Sequence, residues 1–79
     1  MKLEKHERLP NRTTMKDIEA APDRAYTIAD ASHASGLEMH NIRRLIHDGF
    51  LPAFQLPGQR VFRIRGTDII RMMNGELAA

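Results

Sequence analysis

From Ala25 onward, apolar and polar positions follow two distinct periods. Between Glu38 and Asp48, Ile42, Leu45 and Ile46, with Leu37 and Met39 near the start, form one apolar stripe at helical spacing. The preceding stretch, Ile28 to Ser35, predicts a shorter helix rich in small residues, capped at its start by Thr27. Ala25-Tyr26-Thr27-Ile28 is an extended lead-in to it. Gly36 supplies the left-handed position that ends this helix, Leu37 is expected to fold back onto the core, and Gly49 stops the second helix. The period then changes. Phe50 to Leu56 reads as an extended, proline-marked edge strand, and Pro57-Gly58-Gln59-Arg60 as a turn. Val61-Phe62-Arg63-Ile64-Arg65 alternates as a strand with one buried face does. Thr67 is expected to cap a last helix that turns Ile69, Ile70, Met73 and Leu77 inward.

Residues 1–24 read differently. They alternate charges, carry Pro10 and Pro22, and hold few large apolar side chains. The expectation is a separate, mobile arm with one short helix, Met15 to Ala21, capped by Thr14 and stopped by Pro22. The folded domain is expected over 25–79.

Two helices joined by a short glycine-containing turn form a helix-turn-helix pattern. With the hairpin and closing helix, they predict an α+β, mostly α fold. The expected form is a winged helix-turn-helix, with a two-stranded β-hairpin wing and a C-terminal helix.

Composition narrows the class. With 79 residues there is one domain at most, and its core is thin. There is no cysteine, so neither disulfides nor a thiolate zinc site supports it. No stretch approaches the roughly 18 apolar residues of a membrane span, and the charged N-terminus is not a signal peptide, so no membrane partner and a cytoplasmic location are expected. The net charge is only +2, but its placement is uneven. Between Gly49 and Arg65 the charged residues are Arg60, Arg63 and Arg65, with Arg43 and Arg44 just upstream. Such clustering marks an electrostatic footprint for nucleic acid more clearly than the total does.

If Ile42, Leu45 and Ile46 face inward, Met39, His40, Asn41, Arg43, Arg44 and His47 face outward on a helix that fits a major groove. Arginine grips guanine bidentately and asparagine does the same for adenine. Gly58, Gln59 and Arg60 would form the hairpin tip, with Arg60 reaching a minor groove and Arg63 or Arg65 a phosphate.

The residues that carry these signals also resemble a family. Tyr26-Thr27-Ile28, Ala29 to Gly36, Ile42 to Ala53, Arg60-Val61-Phe62-Arg63-Ile64 and Thr67-Asp68-Ile69 look like the phage excisionase and mercury-resistance-regulator type of winged helix. The resemblance covers about residues 25–77; its specificity lies in the combination. One departure is Glu38, which stands where the family usually has a Ser or Thr cap. The resemblance implies a non-catalytic DNA-binding module. Small members of the family assist an integrase, binding repeated sites cooperatively and bending double-stranded DNA toward excision; others regulate transcription.

Three functions therefore compete: an excisionase-like architectural protein that self-associates on repeated sites beside an integrase, a small transcriptional regulator, and a protein-interaction module whose arginines only solubilise it. No nucleophile-base set or phosphate loop is present, so no catalytic residues, and no enzyme, are expected. His33, His40 and His47 recur every seven residues, but positions seven apart on a helix lie about 10 Å apart, too far to share one metal. No metal and no cofactor is expected.

Overall fold

A computed structural model describes residues 11–77. The architecture is α+β: four helices and one two-stranded antiparallel sheet among the described residues. In chain order these are α1 (Met15–Ala20), β1 (Ala25–Thr27), α2 (Ile28–Ser35), α3 (Met39–His47), β2 (Arg63–Arg65) and α4 (Gly66–Met73).

Local chemistry explains the first helices. Thr14 and Asp17 form a reciprocal capping box at α1, and Thr27 and Asp30 form another at α2. Gly36, at φ 80°, closes α2 in the left-handed conformation that costs a side-chain-bearing residue about 1–2 kcal/mol. Alanines on α2 let α3 approach closely, and Ala31 is wholly buried. Leu37 does not fold back onto the core; it stays exposed, and its carbonyl accepts a 2.6 Å hydrogen bond from the Ser32 hydroxyl.

The core gathers one or two large side chains from each element: Ile18, Tyr26, Ile28, Ile42, Ile64 and Ile69, joined by Leu51 from the chain after α3. Burying each contributes roughly 1.5–3 kcal/mol. Ile18 belongs to the stretch expected as a mobile arm, and its side chain has no exposure at all. Residues 11–24 are thus part of the folded unit; α1 packs on α4, and the Tyr26 hydroxyl donates to the Ala21 carbonyl at 2.8 Å. The first ten residues of that expected arm lie outside the described residues, as do Ala78 and Ala79.

The sheet differs from the expected hairpin. Its register pairs Ala25 with Arg65, Tyr26 with Ile64 and Thr27 with Arg63, so the partner of β2 is the lead-in strand β1. Phe50–Leu56 is not a strand. Only Phe54 bridges Arg63, through backbone bonds of 2.9 and 2.7 Å. Pro52 and Pro57 lack the N–H groups a longer ladder needs, whereas pairing β1 with β2 buries Tyr26 and Ile64 together. Val61 and Phe62 fall outside the strand and remain exposed.

The closing helix starts at Gly66, one residue before the expected cap. Arg65 occupies the cap position without a side-chain hydrogen bond, and Thr67 lies inside the helix. The first amides are satisfied by tertiary partners instead: Gly66 N–H donates to the Arg24 carbonyl and Thr67 N–H to the Pro22 carbonyl, both at 3.0 Å. A Cβ at position 66 would lie 2.8 Å from Pro22 Cα, so only glycine admits this approach. Starting there, the helix turns Ile69 fully inward with Ile70 and Met72 beside it; Met73 is exposed, and Leu77 packs on the core from beyond the helix end.

Candidate functional site

α3 is nine residues long, about 13–14 Å, two residues shorter than the apolar stripe predicted. Its Ile42 is wholly buried, with Leu45 and Ile46 half-buried on either side. At about 100° per residue the remaining positions sort into stripes around that anchor. Met39, Arg43 and His47 run along one flank. His40 and Arg44 point farthest from Ile42, and Asn41 lies on the flank opposite Arg43.

The 54–63 loop faces the first of these stripes. Leu56 to Gln59 has the features of a type II turn: Pro57 and then Gly58 at φ 79° occupy its middle, and Gln59 N–H donates to the Leu56 carbonyl at 3.0 Å. The Gln55 side-chain amide donates to the Arg60 carbonyl at 2.6 Å and sets where Arg60 leaves the turn.

Between α3 and this loop runs an open groove of about 680 Å³, lined by Thr27, Ile28, Ala29, Met39, Arg43, His47, Arg60, Val61, Phe62 and Arg63. A smaller hollow shares Arg43, His47 and Phe62 and continues it toward Gly49 and Pro52. Of the residues singled out from sequence, the groove brings together Met39, Arg43, His47, Arg60 and Arg63. His40, Asn41, Arg44, Gly58, Gln59 and Arg65 do not line it. The Arg65 guanidinium instead lies over the Phe54 ring, 5.4 Å from its centroid.

The electrostatics of the groove are one-sided. No carboxylate lines it, and among the described residues none of Arg43, Arg44, Arg60, Arg63 and Arg65 forms an ion pair. The acids of α3 sit at its ends: Glu38 lies 3.6 Å from His40 Nε2, and Asp48 lies 3.4 Å from His47 Nδ1. Glu38 makes no side-chain cap bond, so that end of the helix presents a negative charge. The three histidines are engaged separately, His33 meeting the Thr13 carbonyl at 2.6 Å through Nδ1. Among the described residues, no three His, Asp or Glu side chains come together as a metal set.

Asp30, on the far side of α2, is the one titratable group among the described residues held clearly away from its ordinary value. Burial pushes its pKa up, but hydrogen bonds donated by the Asn11 amide, the Thr27 backbone N–H and the Thr13 hydroxyl outweigh this and leave it lowered. Its role is structural; it ties residues 11–13 to α2.

Sequence reasoning missed the apolar part of the groove: Ile28 and Ala29 at the start of α2, and Val61 and Phe62 on the loop. A signal was available for the last two. Adjacent apolar residues in an alternating strand cannot both face inward.

Comparison of the chain with family models, characterised proteins and solved structures found no match. Among the described residues, no helix is long and apolar enough to cross a membrane.

Proposed function

We propose that this protein binds double-stranded DNA as a winged helix-turn-helix, with α2 and α3 as the helical pair and the 54–63 loop as the wing. One observation carries the reading: Arg43 of α3 and Arg60 and Arg63 of the loop line a single groove free of carboxylates. A helix of this size enters a major groove about 12 Å wide, and the loop beside it reaches the flanking backbone or minor groove. Arg44 and His40, which point farthest out, meet the duplex first; Asn41 approaches it only from the opposite flank. Glu38 keeps the start of α3 away from phosphate.

On this reading the protein positions and bends DNA rather than transforming it, in the manner of an excisionase acting beside an integrase. A single copy covers few base pairs, so useful affinity comes from adjacent copies on repeated sites. Stacked complexes on such sites, together with integrase-dependent excision, would support that role. Promoter control without an integrase would assign transcriptional regulation instead.

The test is a DNA titration of Arg43→Ala and Arg60→Ala at two salt concentrations. If about five arginines meet phosphate, log K against log salt falls with a slope near −4 to −5. Each variant then binds more weakly and loses about one unit of that slope if its arginine contacts phosphate. Unchanged binding by both folded variants would overturn the interface.

A further inference from the structure

We infer that the groove between α3 and the 54–63 loop is also a binding site for a small amphipathic carboxylate: a ring-bearing apolar body with a single anionic group. Its volume of about 680 Å³ falls in the range of small-molecule sites. Such sites are mostly apolar, with a few converging polar groups, and this groove has that composition. Met39, Val61 and Phe62 line it while remaining 37%, 54% and 37% exposed. A phenyl ring and a thioether are good partners for an aromatic ligand.

Charge complementarity selects the rest of the ligand. Arg43, Arg60 and Arg63 stand around this apolar surface with no lining carboxylate and no ion partner among the described residues. Guanidinium groups hold a carboxylate through paired, charge-assisted hydrogen bonds. An inorganic anion would satisfy the arginines and leave the apolar surface wet; an uncharged hydrophobe would do the reverse. A duplex also matches only part of the groove, because base edges in the major groove are polar apart from the thymine methyl. The ligand site does not depend on the DNA reading. Where that reading holds, the arginines are shared, ligand and duplex exclude each other, and the ligand acts as an effector of DNA binding.

The probe is 2-naphthoate, titrated into the full chain carrying ¹³C-labelled methionine and valine methyls and followed by NMR. The controls are 2-naphthalenemethanol, which has the body without the charge, and acetate, which has the charge without the body. Naphthoate is expected to shift the Met39 and Val61 methyls saturably and leave Met72 and Met73 unmoved. It should bind about tenfold or more tightly than either control, the scale of one hydrogen bond to a charged group. In the Arg43→Gln/Arg60→Gln double variant, whose altered side chains are both exposed, the advantage over the alcohol should shrink to about twofold or less. Equal binding of naphthoate and either control, shifts confined to Met72 and Met73, or no saturable shift in the intact chain would each overturn the site. The control comparison decides even if the double variant does not fold. A mixed-sequence duplex added first should raise the apparent Kd for naphthoate. If the duplex binds and leaves that Kd unchanged, the shared groove is wrong. If it does not bind, the DNA reading fails while the naphthoate result stands.

Discussion

Around Asp30, three hydrogen bonds converge on one carboxylate, from Asn11 at 2.8 Å, Thr13 at 3.1 Å and the Thr27 amide at 3.1 Å. Across the molecule, the 54–63 loop is held by the Phe54–Arg63 bridge, one turn bond and the Gln55 side chain. Among the described residues, no hydrogen bond runs from residues 55–62 to another element. One stretch of irregular chain is clamped to the core; the other is shaped from within and projects from it. The clamped stretch is tied into the buried core, and the projecting one carries Arg60 and Arg63, two of the three arginines that line the groove. Mutations should therefore separate the two stretches.

The sharpest break would come from Ile18→Ala, which empties a fully buried position in the clamped region. A loss of about 2–5 kcal/mol is expected in urea unfolding. A mobile arm would tolerate the change without a shift in midpoint, and that result would erase the contrast. Gly66→Ala comes next, because its new Cβ meets Pro22 backbone at 2.8 Å. Relieving the clash requires parting α4 from residues 22–24, at a cost of about 1–3 kcal/mol, readable as a lowered Tm.

Asp30→Ala removes half of a capping box and the anchor of Asn11 and Thr13, for about 1–2 kcal/mol. Its pH dependence is the more specific signature. Burial of Asp30 raises its pKa, but the hydrogen bonds prevail and hold it below the unfolded value. The stabilisation is therefore complete above about pH 4 and fades as pH falls through the lowered folded pKa. In Asp30→Asn that acid-dependent part should vanish from a plot of stability against pH. A wild-type slope that persists in the variant would assign it to other carboxylates.

The smallest effect belongs to the loop. Gln55→Ala should change global stability by no more than about 0.5 kcal/mol while speeding hydrogen exchange at Gln59. A large drop in Tm would mean that the loop is tied to the core after all.

How much of this was legible beforehand followed the range of each interaction. Thr14, Thr27 and Gly36 announce the limits of α1 and α2 because caps and left-handed turns are settled within four residues. The inward placement of Ile42, Leu45 and Ile46 follows from periodicity alone. What was lost is non-local. Nothing near Gly66 says that Pro22 will sit against it, and nothing in Ala25–Thr27 names Arg63–Arg65 as its partner. A hairpin with Phe50–Leu56 is the locally cheaper assumption, and the two prolines undo it. Arg43, Arg60 and Arg63 were recognisable as charges, but that they share one groove depends on the loop's return path.

The meeting of Gly66 with Pro22 also dictates when the domain can form. Strand β1 waits for partners 36 to 40 positions downstream, and the Arg24 and Pro22 carbonyls wait for amides of α4 that lie 42 and 45 positions downstream. During synthesis α1 and α2 can close their capping boxes once residues 14–30 have emerged, yet Tyr26 and Ile18 stay uncovered until Ile64 and Ile69 have emerged. Folding is thus gated by a late, long-range closure, and its rate should be set by how quickly that last segment finds the first.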